Sequence, residues 1–296
     1  MKDLKLLFKK RFSLRRMSFR DYVVNIYLKY RFLFIRKFVY NRIKNYSPVN
    51  KEGYELTFYD NFSHNTWNDD KWTIGGSNRH YTAHIPTNHY VAPELIDGGG
   101  AKFIARYNPQ TFDNREFPYE ASKITTQKTF RQKYGRFECR MTLPEGRGIW
   151  PAFWLWGPTW PPEIDVIEAY GLTKGNKTNI QHISLHWGGR RPDNKNLKGW
   201  LINIQSRKTL GEVFHEFVVE WSPKKIKFIT NGIKVFEFTN KEILDKWFNS
   251  IDEEKDGGMW ITLNTNIHPD HFKEVDSNYY SEFKVDYVRA YQFKKK

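Results

Sequence analysis

Glu163-Ile164-Asp165-Val166-Ile167-Glu168 sets three carboxylates within six residues of an otherwise apolar stretch. Strand side chains alternate faces, so Glu163 and Asp165 point the same way. In a regular strand Glu168 falls on the opposite face, and one extra residue, a β-bulge, returns it to theirs. The spacing therefore predicts a bulged strand that turns all three acids toward one cleft. The plainer reading of the same alternation is a half-exposed strand with no chemistry.

Four effective strand steps put the two Glu Cα atoms about 13 Å apart, and side chains leaning inward bring their carboxyls to about 5 Å. At that separation one carboxylate can attack a sugar's anomeric carbon while the other donates a proton to the leaving oxygen. Asp165 lies between them, placed to hydrogen-bond the attacking group. Crowding of the acids favours retention of a proton near neutral pH.

The residues upstream support this chemistry over the plainer reading. Gly148-Ile149-Trp150-Pro151-Ala152-Phe153-Trp154-Leu155-Trp156-Gly157-Pro158-Thr159-Trp160 holds four tryptophans of one parity. A core rarely needs so many indoles, because each N–H wants a partner. A carbohydrate cleft uses them, since pyranose C–H faces stack on flat rings. Trp156 is expected to be core, and Pro151 with Gly157-Pro158 interrupts a continuous strand.

With these residues in view the chain resembles glycoside hydrolase family 16. The carrying motifs are Leu143-Pro144-Glu145-Gly146-Arg147-Gly148-Ile149-Trp150-Pro151-Ala152-Phe153-Trp154-Leu155 and the acidic run Glu163 to Glu168. Gly135 to Arg140, Phe217 to Pro223 and Val285 to Tyr291 are similar to other strands of that family, so the resemblance covers about residues 51–293. It implies an all-β fold, a concanavalin-like jelly-roll sandwich of two antiparallel sheets. It makes Glu163 the nucleophile, Asp165 the assisting carboxylate and Glu168 the general acid/base. The residue before Glu168, Ile167, is similar to the laminarinase, agarase and carrageenase branches. Pro162 departs from the Gly that many members carry before the first Glu. Some members hold a structural Ca²⁺ through an Asp of the last strand, here Asp286, although the chemistry requires no cofactor.

Trp150, Trp154, Trp160, His186 and Trp187 are the expected substrate-binding residues. His182, Ser184 and His186 share a strand face. No metal site is expected: two His are too few ligands for Zn, with no Cys or acid suitably spaced. Asn78, His80 and Tyr81 form a polar-aromatic loop within reach of a sugar. Sulfated substrates would call for cleft cations, for which Arg79, Arg147, Arg190 and Arg191 are candidates.

The formal charge of +15 is uneven. Residues 1–50 carry 14 Lys or Arg against two Asp, leaving 34 basic against 31 acidic residues in the rest. The reading is a basic extension and linker over 1–50 and a catalytic domain over 51–296. Leu28, Phe32, Ile35, Val39 and Ile43 recur at helical spacing, so residues 1–47 are expected to form one or two amphipathic basic helices. Such a segment fits an anionic membrane surface or a protein partner. No nucleic-acid motif accompanies the charge. No stretch has the length of a transmembrane helix or the form of a signal peptide, which leaves localisation open. The single cysteine, Cys139, excludes an intrachain disulfide and reads as a small core residue; a monomer is expected.

After Ser47–Gly53 the signals are those of a β protein. Strands are expected at Glu55–Tyr59, Lys102–Tyr107, Lys123–Thr129, Gly135–Leu143, Thr178–Trp187, Val213–Trp221, Met259–Asn264 and Phe283–Tyr291. Lys225–Thr230 and Ile233–Phe238 flank Asn231-Gly232, the signature of a type I′ hairpin. Lys241–Ser250 is the one expected helix of this region. The resulting expectation is an endo-acting, retaining hydrolase of β-1,3- or β-1,3/1,4-glucan. The alternatives are a galactan hydrolase, a transglycosylase, or a non-catalytic glycan-binding jelly roll.

Overall fold

The computed structural model describes residues 48–75, 81, 87–171, 180–188, 194–203, 213–268 and 276–294. The amphipathic helices expected within residues 1–47 lie outside the described residues, as do Asn78, Arg79, His80, Arg190 and Arg191. Sixteen strands dominate the rest. They are β1 (Tyr54–Asp60), β2 (Thr73–Ile74), β3 (Asn88–Val91), β4 (Glu94–Leu95), β5 (Ala101–Phe112), β6 (Arg115–Thr125), β7 (Gly135–Met141) and β8 (Ile149–Trp156). There follow β9 (Glu163–Glu168), β10 (Ile180–Gly188), β11 (Asn194–Asn203), β12 (His215–Ser222), β13 (Lys225–Thr230), β14 (Ile233–Phe238), β15 (Trp260–Ile267) and β16 (Tyr280–Phe293).

Hydrogen bonding joins them in the order β11-β10-β9-β8-β15-β6-β5-β16-β7-β12-β13-β14. The strip folds into two layers at β6, where Tyr119–Ala121 pair with β5 and Lys123–Thr125 with β15. Apart from the parallel β3–β6 pair, the described pairs are antiparallel. This is the jelly-roll sandwich that the sequence predicts.

Alternation fixes which face of each layer is dry. Phe153, Leu155 and Ile164 of one layer meet Phe137, Cys139, Phe217, Val219, Val288 and Ala290 of the other in a single buried cluster. Cys139 is fully buried, as its apolar neighbours in the strand predict, and burial pushes its thiol well up. The Asn231-Gly232 turn has positive φ at both residues, 50° and 77°, as a type I′ hairpin demands.

Two expectations change. The strand expected at Lys123–Thr129 starts earlier, at Arg115, and stops at Thr125; the Thr126 carbonyl then accepts from the Thr129 and Phe130 N–H groups and closes a turn. The expected helix at Lys241–Ser250 begins as α1 (Lys241–Ile243), capped by Asn240, and widens into a π turn at Leu244–Phe248. Asn249 N–H reaches back five residues to Leu244, while Leu244 and Phe248 are buried, so the wider turn accommodates both apolar side chains on the core. A short α2 (Glu253–Asp256) follows without a sequence signal.

The outer face of the β7–β16 layer carries an ion network. Arg136 and Tyr54 both donate to Glu220, at 2.7 and 2.9 Å, and Lys51 lies 3.2 Å from the buried Glu138. The chain enters the domain across this face, where Val49 O accepts from Tyr291 OH at 2.9 Å. Asp286 lies on the same face with Arg140 bonded to it. The guanidinium supplies the counter-charge that a Ca²⁺ would bring, so the residues present do not fit a calcium ion there.

Candidate active site

The outer face of the other layer is built differently. β9 pairs with β8 and β10, and both ladders show the same irregularity. Asp165 lies opposite Trp154 and Ser184, and Glu168 opposite Ala152 and His182. Two residues of β9, Val166 and Ile167, thus face one residue on each partner, Phe153 of β8 and Ile183 of β10, which is the predicted bulge. Both side chains are fully buried in the inter-sheet core. Burying each apolar side chain stabilises by about 1.5–3 kcal/mol, and a regular strand would send Glu168 inward instead, at a cost of several kcal/mol. The bulge is the arrangement that satisfies both demands, and it leaves Glu163, Asp165 and Glu168 on the outer face.

Each of the two glutamates is held by an indole. Trp160 Nε1 donates to Glu163 Oε2 at 3.0 Å, and Trp150 Nε1 donates to Glu168 Oε1 at 3.1 Å. Tyr170 OH donates to the same Glu168 oxygen at 2.8 Å, and Ser184 Oγ lies 3.4 Å from the other. His186 Nε2 sits 3.3 Å from Asp165 and 3.6 Å from Glu163. Burial first, then the charges of Asp165 and Glu168, push the Glu163 carboxyl well above the usual range; His186 and the Trp160 N–H oppose that push. Glu163 therefore favours its protonated form.

Glu163, Asp165 and His186 bring one potential ligand atom each within 4.8 Å of one another. Sequence spacing misses this grouping because His186 arrives by strand pairing, opposite Glu163.

The expected aromatic residues divide. Trp150 and Trp160 reach the acids through N–H groups as well as presenting rings, and Trp150 packs against Tyr170 and His268, at 5.3 and 5.2 Å between centroids. Trp154 stacks on Trp156 at 5.3 Å and 25°. Trp156, expected in the core, is instead half-buried on the cleft face opposite Glu163, because β8 runs unbroken through Pro151. Trp187 is not brought to the cleft. It follows His186 by one residue, faces the core and packs on Phe238. Tyr81 also turns elsewhere, stacking on Phe117 at 4.6 Å and bonding Asp113. Arg147 is exposed on its loop.

Several cleft residues carry no signal in local sequence. Asn264 of β15 accepts from Trp154 Nε1 at 2.8 Å, and Lys123 of β6 lies opposite Asn264. Only the β8–β15–β6 pairing brings them there. Tyr170 was within reach of a parity argument, being two residues beyond Glu168.

These geometries agree with what comparison finds. A relative from Rhodothermus marinus named "Beta-glucanase" is 27% identical over 267 residues, covering 81% of this chain and 86% of its own. "Glucan endo-1,3-beta-glucosidase A1" of Niallia circulans is 28% identical over 263 residues, covering 82% of this chain, which spans only 36% of that protein's length. The laminarinase catalytic domain of Thermotoga maritima MSB8 shares the fold at a TM-score of 0.63 with 20% identity, over 82% of this chain and all of that one. Residues 110–289, more than half of the chain and including the bulged acidic strand, match the model of the glycosyl hydrolases family 16, and the chain belongs to that family.

Proposed function

We propose that this chain is an endo-acting, retaining hydrolase of β-1,3- or mixed β-1,3/1,4-glucan. The observation that carries the reading is the bulge at Val166-Ile167, which puts two Glu side chains on one face, each gripped by an indole N–H. The substrate class and the internal mode of attack follow the names of the glucan-cleaving relatives.

Glu163 attacks the anomeric carbon as a carboxylate. Glu168 gives its proton to the departing glycosidic oxygen as the C–O bond breaks, leaving a glycosyl ester on Glu163. Water then attacks that carbon, Glu168 takes the proton from the water, and Glu163 leaves as carboxylate. Asp165, His186 and the Trp160 N–H orient Glu163 and stabilise its charge. Tyr170, Trp150 and Ser184 hold Glu168 in line with the leaving oxygen. Trp154 and Trp156 offer ring surface to neighbouring sugars. A purely glycan-binding jelly roll has no use for three crowded, desolvated acids, which disfavours that rival. In the same reading residues 51–296 form the catalytic domain, and the basic segment 1–47 contacts an anionic membrane surface or a protein partner.

Glu168→Gln is expected to reduce hydrolysis of β-1,3-glucan by about 10²–10⁴, and Glu163→Gln by at least as much. Proton NMR of a fresh digest is expected to show the β-anomer first. Variants that cut glucan as fast as the parent, or an α-anomer appearing first, would overturn the assignment.

A further inference from the structure

Lys123 is the feature of the cleft that the mechanism leaves unused. Its neighbour Ile124 packs in the inter-sheet core, so Lys123 points to the opposite, cleft face. It occupies one cross-strand row with Asn264, Ala152 and Glu168. Three strand spacings of about 4.8 Å separate the β6 and β9 backbones, or roughly 14 Å, so Lys123 rises from the far side of this face relative to Glu168.

The residue is only 8% exposed. Its ammonium lies 5.0 Å from the centre of the Tyr90 ring and 5.9 Å from that of Trp154. Among the described residues no carboxylate pairs with it, and no carbonyl or hydroxyl accepts a hydrogen bond from it. Burying an ammonium without a counter-ion is costly, and two ring faces offset only part of that. Burial pulls the amine down to about 8, and the charge of Glu163 acts against that pull.

A neutral sugar hydroxyl is served as well by an amide, and Asn264 stands beside Lys123 to do it. With no carboxylate in contact, and only the more distant charge of Glu163 favouring its protonated form, the ammonium is complementary to a ligand that brings an anion into contact. We propose that Lys123, framed by Tyr90 and Trp154, is a subsite for an anionic substituent, carboxylate or sulfate, on the β-glucan chain. Of the cations that sequence offers for this role, Arg79, Arg190 and Arg191 lie outside the described residues and Arg147 is exposed on its loop, whereas Lys123 is placed among aromatic rings. The proposal rests on the glucan reading above for the polymer, and it concerns a different part of the cleft.

The test uses full-length protein with Glu168→Gln, so that binding is read without turnover. Neutral, carboxymethylated and sulfated β-1,3-glucan oligosaccharides of matched length are titrated by calorimetry at 150 mM salt. One or both charged forms are expected to bind at least tenfold more tightly than the neutral form, and which one does so identifies the substituent. Adding Lys123→Met is expected to abolish that ratio, whereas Lys123→Arg keeps it. Lys241→Met removes the same net charge from an exposed helix and is expected to keep it too. Lys123→Gln serves if the Met variant fails to fold. A ratio near one in the Glu168→Gln protein, or one that survives loss of the Lys123 amine, overturns the proposal. Failure of the parent to cut any glucan, with the binding ratio intact, would overturn the hydrolase reading and leave the subsite standing.

Discussion

Glu163 is subject to opposing influences, and their balance has consequences for both stability and rate. Burial and the charges of Asp165 and Glu168 raise its pKa, and they outweigh His186 and the Trp160 N–H. A carboxyl with a raised native pKa stabilises the fold fully below its unfolded value, near 4.3 for Glu, and that contribution is lost as pH rises toward the native pKa. Glu163→Gln removes the titration. Its Tm is expected to exceed the parent's at pH 8, by about 2–4 °C for each kcal/mol relieved, and to converge with it at pH 4. A Tm at pH 8 below the parent's would contradict the burial argument. In the proposed mechanism Glu163 attacks as the carboxylate, so kcat/KM is expected to fall on the acid side through a pKa above the ordinary Glu range. An acid limb at or below about 4.3 would show that the push is absent in solution.

At the scale of the element, β9 works as a lever whose fulcrum is the bulge. Val166 and Ile167 are anchored in the core on one side while the acids stand on the other. The strand on each flank supplies the holding groups: Trp150 from β8, and Ser184 and His186 from β10. Ile167→Ala leaves every acid in place in sequence but loosens the anchor. It is expected to destabilise by about 2–5 kcal/mol in denaturant unfolding and to lower kcat more than it raises KM, because Glu168 loses its fixed position. Unchanged kcat with a large loss of stability would mean that Tyr170, Trp150 and Ser184 hold Glu168 unaided.

For the whole molecule, the sandwich separates two polar surfaces with a shared dry core. The three acids and their indole partners lie on the outer face of one layer. The Arg136–Glu138–Glu220 network, and the crossing of the chain from Pro48 to Lys51, lie on the outer face of the other. The basic segment therefore joins the domain on the side away from the acids. Removing residues 1–47 is expected to leave glucan hydrolysis within about twofold and to abolish binding to anionic vesicles. Retained vesicle binding would move that activity to the domain itself. Because Arg140 already neutralises Asp286, EDTA is expected to leave Tm unchanged. A drop in Tm reversed by Ca²⁺ would show a calcium site elsewhere.

Much was legible along the chain because alternation is a local property. The parity of Glu163, Asp165 and Glu168 determined the bulge, Asn231-Gly232 the hairpin, and Phe137, Cys139 and Met141 a buried face. Other features depend on which strands become neighbours. Trp156 moved from core to cleft and Trp187 from cleft to core once the continuity of β8 and the register of β10 were fixed. Lys123 and Asn264 reached the cleft through the β8–β15–β6 ladders, although Asn264 lies 110 residues after Trp154, the residue it bonds. The sequence by itself determined the fold class, from strand signals repeated along residues 51–293, and the shared face of the three acids, from the alternation of a single strand. The tertiary structure alone decided what surrounds that trio, because cross-strand register is set by the packing of the entire core.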